Sequence, residues 1–189
     1  MFLITCKIGV SAVNIVKLNK KEWKSFELNY SWETSEIYKI EVIEDKDGWT
    51  VKVKKTRNSE KIVKTFREYL YRPWMEDCEI YGVELEGKIV GWMTLSYENW
   101  CNRLRIFELF VLEGYRGKGC GSMLINKAKE IAKEKGFRAI VLDTHNSNFK
   151  AIEFYRRHGF ELNGFDLTQY HNDDVQRNEV RIDLVFKIQ

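Results

Sequence analysis

The sequence predicts a mixed α/β (α+β) domain, and two observations carry that expectation. The first half reads as strands joined in hairpins, whereas the second alternates strand, helix, strand, helix and strand. At 189 residues the chain is long enough for one compact core and short for two, so a single domain over residues 1–189 is expected.

The elements follow in order. Residues 1–35 carry no assignable pattern. Residues 37–43 and 49–53 flank Asp45-Lys46-Asp47-Gly48 and read as two strands joined by an acidic, glycine-containing turn. From about residue 60 to 71, Ile62, Val63, Phe66, Tyr69 and Leu70 recur at helical spacing, and Pro73 closes the expected helix. Residues 79–85 and 89–96 form a second hairpin around Glu86-Gly87-Lys88, and residues 104–112 a further apolar strand. Leu124, Ala128, Ile131 and Ala132 then mark one face of a helix that Gly136 can terminate. Residues 138–142 form a short buried strand. Residues 148–158 are helical, with Phe149, Ile152 and Tyr155 on one side, and stop before Gly159. Two strands, from 160 to about 170 and from 179 to 188, complete the pattern.

Bulk properties exclude several classes. The 31 basic and 28 acidic side chains leave a formal charge of +3, which argues against a dedicated nucleic-acid binder. No run of 18 apolar residues is present to cross a membrane. Residues 1–16 are interrupted by Lys7 and lack a basic leader and a small-residue cleavage site, so no signal peptide is expected. The four cysteines, Cys6, Cys78, Cys101 and Cys120, are scattered and read as free thiols of a cytoplasmic protein. His145, His158 and His171 lack zinc spacing and read as surface or loop histidines; no metal is expected.

The most informative stretch runs from Val111 to Ser122, with glycines at 114, 117, 119 and 121. It follows a strand and opens a helix, where backbone N–H groups precede the intrahelical ladder and can receive a pyrophosphate. Arg116 and Lys118 add positive charge at its rim. On glycines alone, a solvated flexible turn is an equal alternative. A dinucleotide fingerprint beginning at Gly117 would need glycine at 122, which is serine. A Walker loop beginning at Gly114 would need Gly-Lys-Ser/Thr from 119, where the chain reads Gly119-Cys120-Gly121.

Arg116-x-x-Gly119-x-Gly121 before an amphipathic helix resembles the acetyl-coenzyme A signature of the GNAT superfamily of N-acetyltransferases. Asn148, Ala151, Phe154, Tyr155, Gly159 and Phe160 resemble its second signature, and the likeness covers residues 79–188. It implies a mostly antiparallel central sheet with helices on both faces and a splayed strand pair that holds acetyl-CoA as cosubstrate. It further implies that the pantetheine arm pairs with main chain at Phe110, Val111 and Leu112, and that Asn148 contacts that arm. Amides of Gly117, Lys118, Gly119, Cys120, Gly121 and Ser122 would hold the pyrophosphate beside Arg116. Tyr155 would protonate the leaving sulfur, and a main-chain N–H near Phe110 or Val111 would hold the oxyanion. The resemblance also allows a homodimer.

An alkyl amine with a pKa near that of lysine is neutral in only about one molecule in a few thousand at pH 7, so attack on a thioester requires a base. Glu108 sits mid-strand among Ile106, Phe107, Leu109 and Phe110, where an acid is out of character, and is the candidate base. The alternative is an acid on the solvated face of that strand. The run Glu98-Asn99-Trp100-Cys101-Asn102-Arg103 and the stretch from Gly159 to Tyr170 are similar to streptothricin acetyltransferases. Those enzymes acetylate a β-lysine amine of a cationic antibiotic. The resemblance therefore implies a small-molecule amine acceptor lined by Glu98, Trp100, Glu108, Asp166 and Tyr170. A protein or peptide amine, or a non-catalytic acyl-CoA-binding module, remains open at this point.

Overall fold

The computed structural model describes residues 13–23, 25–72, 75 and 78–189. Pro73, Cys6 and the apolar start of the chain lie outside the described residues. In chain order the elements are β1 (Val13–Leu18), α1 (Lys20–Trp23), β2 (Glu27–Asp45), β3 (Gly48–Tyr69), β4 (Cys78–Leu85), β5 (Lys88–Glu98) and β6 (Arg103–Val111). They continue with α2 (Cys120–Glu134), β7 (Ala139–His145), α3 (Phe149–Arg157), β8 (Glu161–Asp166), α4 (Asp174–Arg177) and β9 (Arg181–Lys187). The mixed α+β class holds, with mostly antiparallel pairing. None of the described helices is long and apolar enough to cross a membrane.

Two compact units share the chain. The first comprises residues 13–28, 67–142 and 186–189, and the second residues 29–66 and 143–185. In the first, strands lie in the order β1, β4, β5, β6 and β7. The first four are antiparallel to their neighbours, and β7 runs parallel to β6. Helix α2 packs across β6, β5, β4 and β1 and buries Leu124, Ile125, Ala128, Ile131 and Ala132. Each large apolar side chain so buried contributes about 1.5–3 kcal/mol. The helix stops where expected. Gly136 turns left-handed (φ 71°), and the Phe137 amide closes back on the Ala132 carbonyl at 2.9 Å.

In the second unit α3 ends in the same way. Gly159 has φ 84°, and the Phe160 amide donates to the Tyr155 carbonyl at 3.1 Å. Phe137 and Phe160 are both buried, so each Gly-Phe pair is a helix stop with an apolar plug. Strands β8 and β9 form an antiparallel pair. β2 and β3 form a separate two-stranded ribbon.

The helix expected over residues 60–71 is absent; this stretch belongs to β3 and its continuation. Its inward side is Ile62, Lys64, Phe66 and Glu68, with Val63, Thr65, Arg67 and Tyr69 exposed. Two of the four inward residues are charged, and each is paired: Lys64 with Glu179 at 2.7 Å, and Glu68 with Arg72 at 2.7 Å. A two-residue alternation written partly in charges carries no hydrophobic signal, and the exposed Val63 and Tyr69 counterfeited a helical one. The turn at 45–48 was read correctly, but its strands are far longer than expected.

In the first unit Glu79 ties β1 to β4. Lys17 reaches it at 2.6 Å, and the Tyr81 hydroxyl donates to its other oxygen at 2.7 Å. Burial alone would raise the carboxyl pKa, and these bonds more than reverse that, lowering it from 4.5 to about 2. The folded state therefore holds this proton less tightly than the unfolded chain does. Its stabilising contribution is complete above about pH 4.5 and disappears as pH falls through about 2. Urea unfolding followed at pH values from 5 downward should show a falling midpoint. Glu79→Gln should be less stable at pH 6 and show a shallower decline on acidification.

Candidate active site

Strand β6 organises the candidate residues of the first unit. Its parallel pairing with β7 runs from Arg103↔Ala139 to Arg105↔Val141, and residues 106–111 extend beyond it. On the other side β5 follows β6 along its whole length, with a register shift where Thr94 faces Glu108 but Leu95 faces Ile106. Phe107 is thus the extra residue of a β-bulge immediately before Glu108. Bulges bend a strand and re-aim its side chains, and this one was not legible in the sequence.

Glu108 is only 7% exposed and shares a buried face with Leu104, Ile106 and Phe110, so it is not an acid on a solvated strand face. The guanidinium of Arg72 reaches it at 2.8 Å and also bonds Glu68. A buried carboxylate requires such a partner, because removing its hydration is costly. Opposite it, the fully buried Thr94 hydroxyl donates to the Leu70 carbonyl at 2.7 Å, holding the segment that carries Arg72 against the sheet. Sequence reasoning missed Arg72, which lies 36 residues from its partner and has no spacing signal.

Beyond Phe110 the chain turns toward α2. The Leu112 amide donates to the Val90 carbonyl at 3.0 Å, and Arg116 Nε donates to the Val111 carbonyl at 3.0 Å. Arg116 also lies 5.8 Å from the Phe110 ring centre, so it braces the turn as well as charging it. Gly117 and Gly119 have φ 73° and 89°, conformations open chiefly to glycine. The first bond of the α2 ladder is donated by Met123 to the Gly119 carbonyl at 3.0 Å, so the amides of residues 120–122 lie ahead of it. Cys120 is buried and Lys118 exposed, 5.4 Å from the Tyr115 ring centre. Left-handed glycines leading into a helix start suit a pyrophosphate, because backbone amides converge where no side chain obstructs.

Glu98 and Trp100 are not brought to Glu108. They stand at the opposite end of β6, where Glu98 faces Arg103, about 16 Å of strand away from Glu108. Glu98 is held by Arg103 and Arg105; burial opposes its ionisation, and the two guanidinium groups lower its pKa regardless. Trp100 is 85% exposed.

In the second unit Asn148 begins α3, with its carbonyl accepting from Ala151 and Ile152 at 3.0 Å. Tyr155 is buried, with its ring 5.7 Å from that of Phe160. Asp166 closes a local turn by accepting the Thr168 amide at 2.9 Å. Asp174 is wholly buried and accepts the amides of Tyr170 and His171 at 2.9 Å, which fixes the loop carrying Tyr170. The Tyr170 ring lies 4.8 Å from His145. His145, read from sequence as a surface or loop residue, stacks on Phe66 at 5.7 Å and meets the edge of Trp32; burial lowers its pKa.

A mostly antiparallel sheet with one parallel strand, and a bulged strand running through left-handed glycines into a helix, make up a mixed α+β fold. The chain belongs to the acetyltransferase (GNAT) family, whose model matches residues 49–160. It is 39% identical over 88 residues to streptothricin acetyltransferase of Streptomyces lavendulae, covering 47% of each chain. The chain spans about half the length of the curated relatives it matches. A crystal structure of nourseothricin acetyltransferase superposes with a TM-score of 0.75 at 25% identity, over 94% of this chain and 99% of that one. A Bacillus anthracis protein assigned as a streptothricin acetyltransferase, solved in complex with acetyl coenzyme A, superposes at 0.69 with 25% identity, over 94% and 98% of the two chains.

The glycines of the turn are not equivalent. A Cβ on Gly114 or Gly117 would meet nothing, but only Gly117 is left-handed. Gly117→Ala should therefore lose about 1–2 kcal/mol of stability in urea denaturation. Gly114→Ala should stay within about 0.5 kcal/mol of the parent.

Proposed function

We propose that the chain is a single acetyltransferase domain that moves the acetyl group of acetyl-CoA to a primary amine of a small cationic molecule of the streptothricin type. The observation that carries this reading is the left-handed glycine turn at the start of α2. Support comes also from the streptothricin and nourseothricin acetyltransferases that the chain resembles.

In this reading the amides of residues 117–122 receive the pyrophosphate, with Arg116 and Lys118 beside it. The main chain from Phe110 to Leu112, together with Asn148, receives the pantetheine arm. Glu108 accepts the proton of the acceptor ammonium, directly or through water, and Arg72 keeps its carboxylate in place. The neutral nitrogen attacks the thioester carbonyl, the carbon–sulfur bond breaks, the Tyr155 hydroxyl supplies the proton that the sulfur takes up, and the second proton shed by the nitrogen restores that hydroxyl. Tyr170 lines the acceptor side. Glu98 and Trp100 serve the far end of β6 instead, as an ion-pair anchor and an exposed turn.

Calorimetry should detect acetyl-CoA binding to the folded protein, and thiol release should accompany acetylation of streptothricin in preference to polyamines or peptides. Turnover confined to peptides would overturn the acceptor assignment. Glu108→Gln should lower kcat by about 10²–10⁴-fold and move the pH profile to the alkaline side. Tyr155→Phe should lower turnover while leaving acetyl-CoA affinity near that of the parent. An unaltered rate and profile in Glu108→Gln would remove Glu108 from the chemistry.

A further inference from the structure

In the first unit Arg72 serves two carboxylates through one nitrogen. Its Nη2 lies 2.8 Å from Glu108 Oε1 and 2.7 Å from Glu68 Oε2. Access to solvent rises along this row, from the buried Glu108 through Arg72, whose side chain is 27% exposed, to Glu68 at 35%. The backbone beneath the row is pinned. The Leu70 amide donates to the Phe26 carbonyl at 3.0 Å, the Leu70 carbonyl accepts the Thr94 hydroxyl, and the Arg72 carbonyl accepts the Met75 amide at 2.9 Å. An exchange of partners along the row therefore falls to the guanidinium arm, and its cheaper direction is outward, toward Glu68 and water.

The row sets a chemical conflict. A carboxylate held by a guanidinium is a poor proton acceptor, because protonation forfeits the ion pair. An ammonium brought beside it also meets the positive charge of that guanidinium. Both obstacles vanish when the arriving cation takes over at Glu108 and Arg72 is kept by Glu68. We propose that Glu68 is this second seat, a positioning residue that retains Arg72 when a cationic amine displaces it from Glu108. The inference rests on the role given to Glu108 above. It adds the class of acceptor the site selects: an amine that arrives as an alkylammonium ion.

Two features of the same sheet face agree with it. The three side chains carry two negative charges and one positive, so one incoming cation balances them and leaves no buried charge unpaired. Cross-strand pairing sets Thr94 opposite Glu108 and Trp92 opposite Phe110, which places the Trp92 and Phe110 rings beside the carboxylate on its own face. Those rings are 6.2 Å apart, and Phe26 lies 4.8 Å from Trp92. Aromatic faces next to a carboxylate favour an organic cation. Trp92 is buried, and its indole nitrogen has no hydrogen-bond partner among the described residues, so this face still offers a donor to an oxygen of the ligand.

The test compares amines by charge on the full chain. In Glu68→Gln, KM for streptothricin should rise about tenfold while kcat changes by less than about threefold. KM for an uncharged arylamine, which needs no exchange of ion pairs, should move by less than about twofold. Glu68→Asp should recover most of the loss. Calorimetry with streptothricin in the presence of CoA should show the same weakening in Glu68→Gln, with the thermal melt and the affinity for acetyl-CoA unaltered. Equal weakening toward both amines overturns the inference, and so does streptothricin binding indifferent to Glu68→Gln. A protein that acetylates the arylamine but binds no alkylammonium overturns it as well, while leaving acetyl transfer standing. Binding that weakens as stated, in a protein that transfers no acetyl group, upholds the seat and overturns the proposed function instead.

Discussion

A β-strand has two edges, and what each is bonded to decides whether it serves as scaffold or as receptor. β6 is held by β5 from Arg103 to Val111, but its pairing with β7 runs only from Arg103 to Arg105. Past that point lie the bulge at Phe107, the buried Glu108 and the glycine turn. Backbone bonds to β5 keep the strand in register past the point where its pairing with β7 stops. Arg72 and Thr94 brace the same region from the face of the sheet.

The parts of this architecture that were legible in the sequence are those whose causes are local. Helices α2 and α3 declare themselves through an apolar stripe followed by Gly-Phe, and both end as that pair dictates. The glycine turn is equally local: positive φ at residues 117 and 119 is a property of the residues themselves. β3 was misread because its inward face includes Lys64 and Glu68, whose partners Glu179 and Arg72 neutralise them. Charge on a covered face becomes intelligible only once the partner is known. The pairing of Arg72 with Glu108 was hidden for the same reason, and so was the commitment of Glu98 to two arginines.

The family signatures also divide by physical role. In the second one, Gly159 and Phe160 stop α3, and the Phe160 amide takes the Tyr155 carbonyl as its acceptor. The tyrosine backbone is therefore locked by the helix stop, which leaves its hydroxyl as the chemically informative part. In the first signature, Arg116 closes on the Val111 carbonyl and holds the turn open toward solvent. A residue can thus belong to a family motif by shaping the backbone around it.

The interleaving of the two units bears on biosynthesis. Residues 186–189 belong to the first unit, and the Ile188 amide donates to the Arg138 carbonyl at 3.0 Å. That unit is therefore completed only after residues 143–185 of the second unit have been translated. Emerging chain must hold β1, β4, β5 and β6 together while residues 143–185 of the second unit are still being threaded through the ribosomal tunnel. Such long-range closure slows folding and prolongs the interval in which nascent apolar strands are accessible to chaperones.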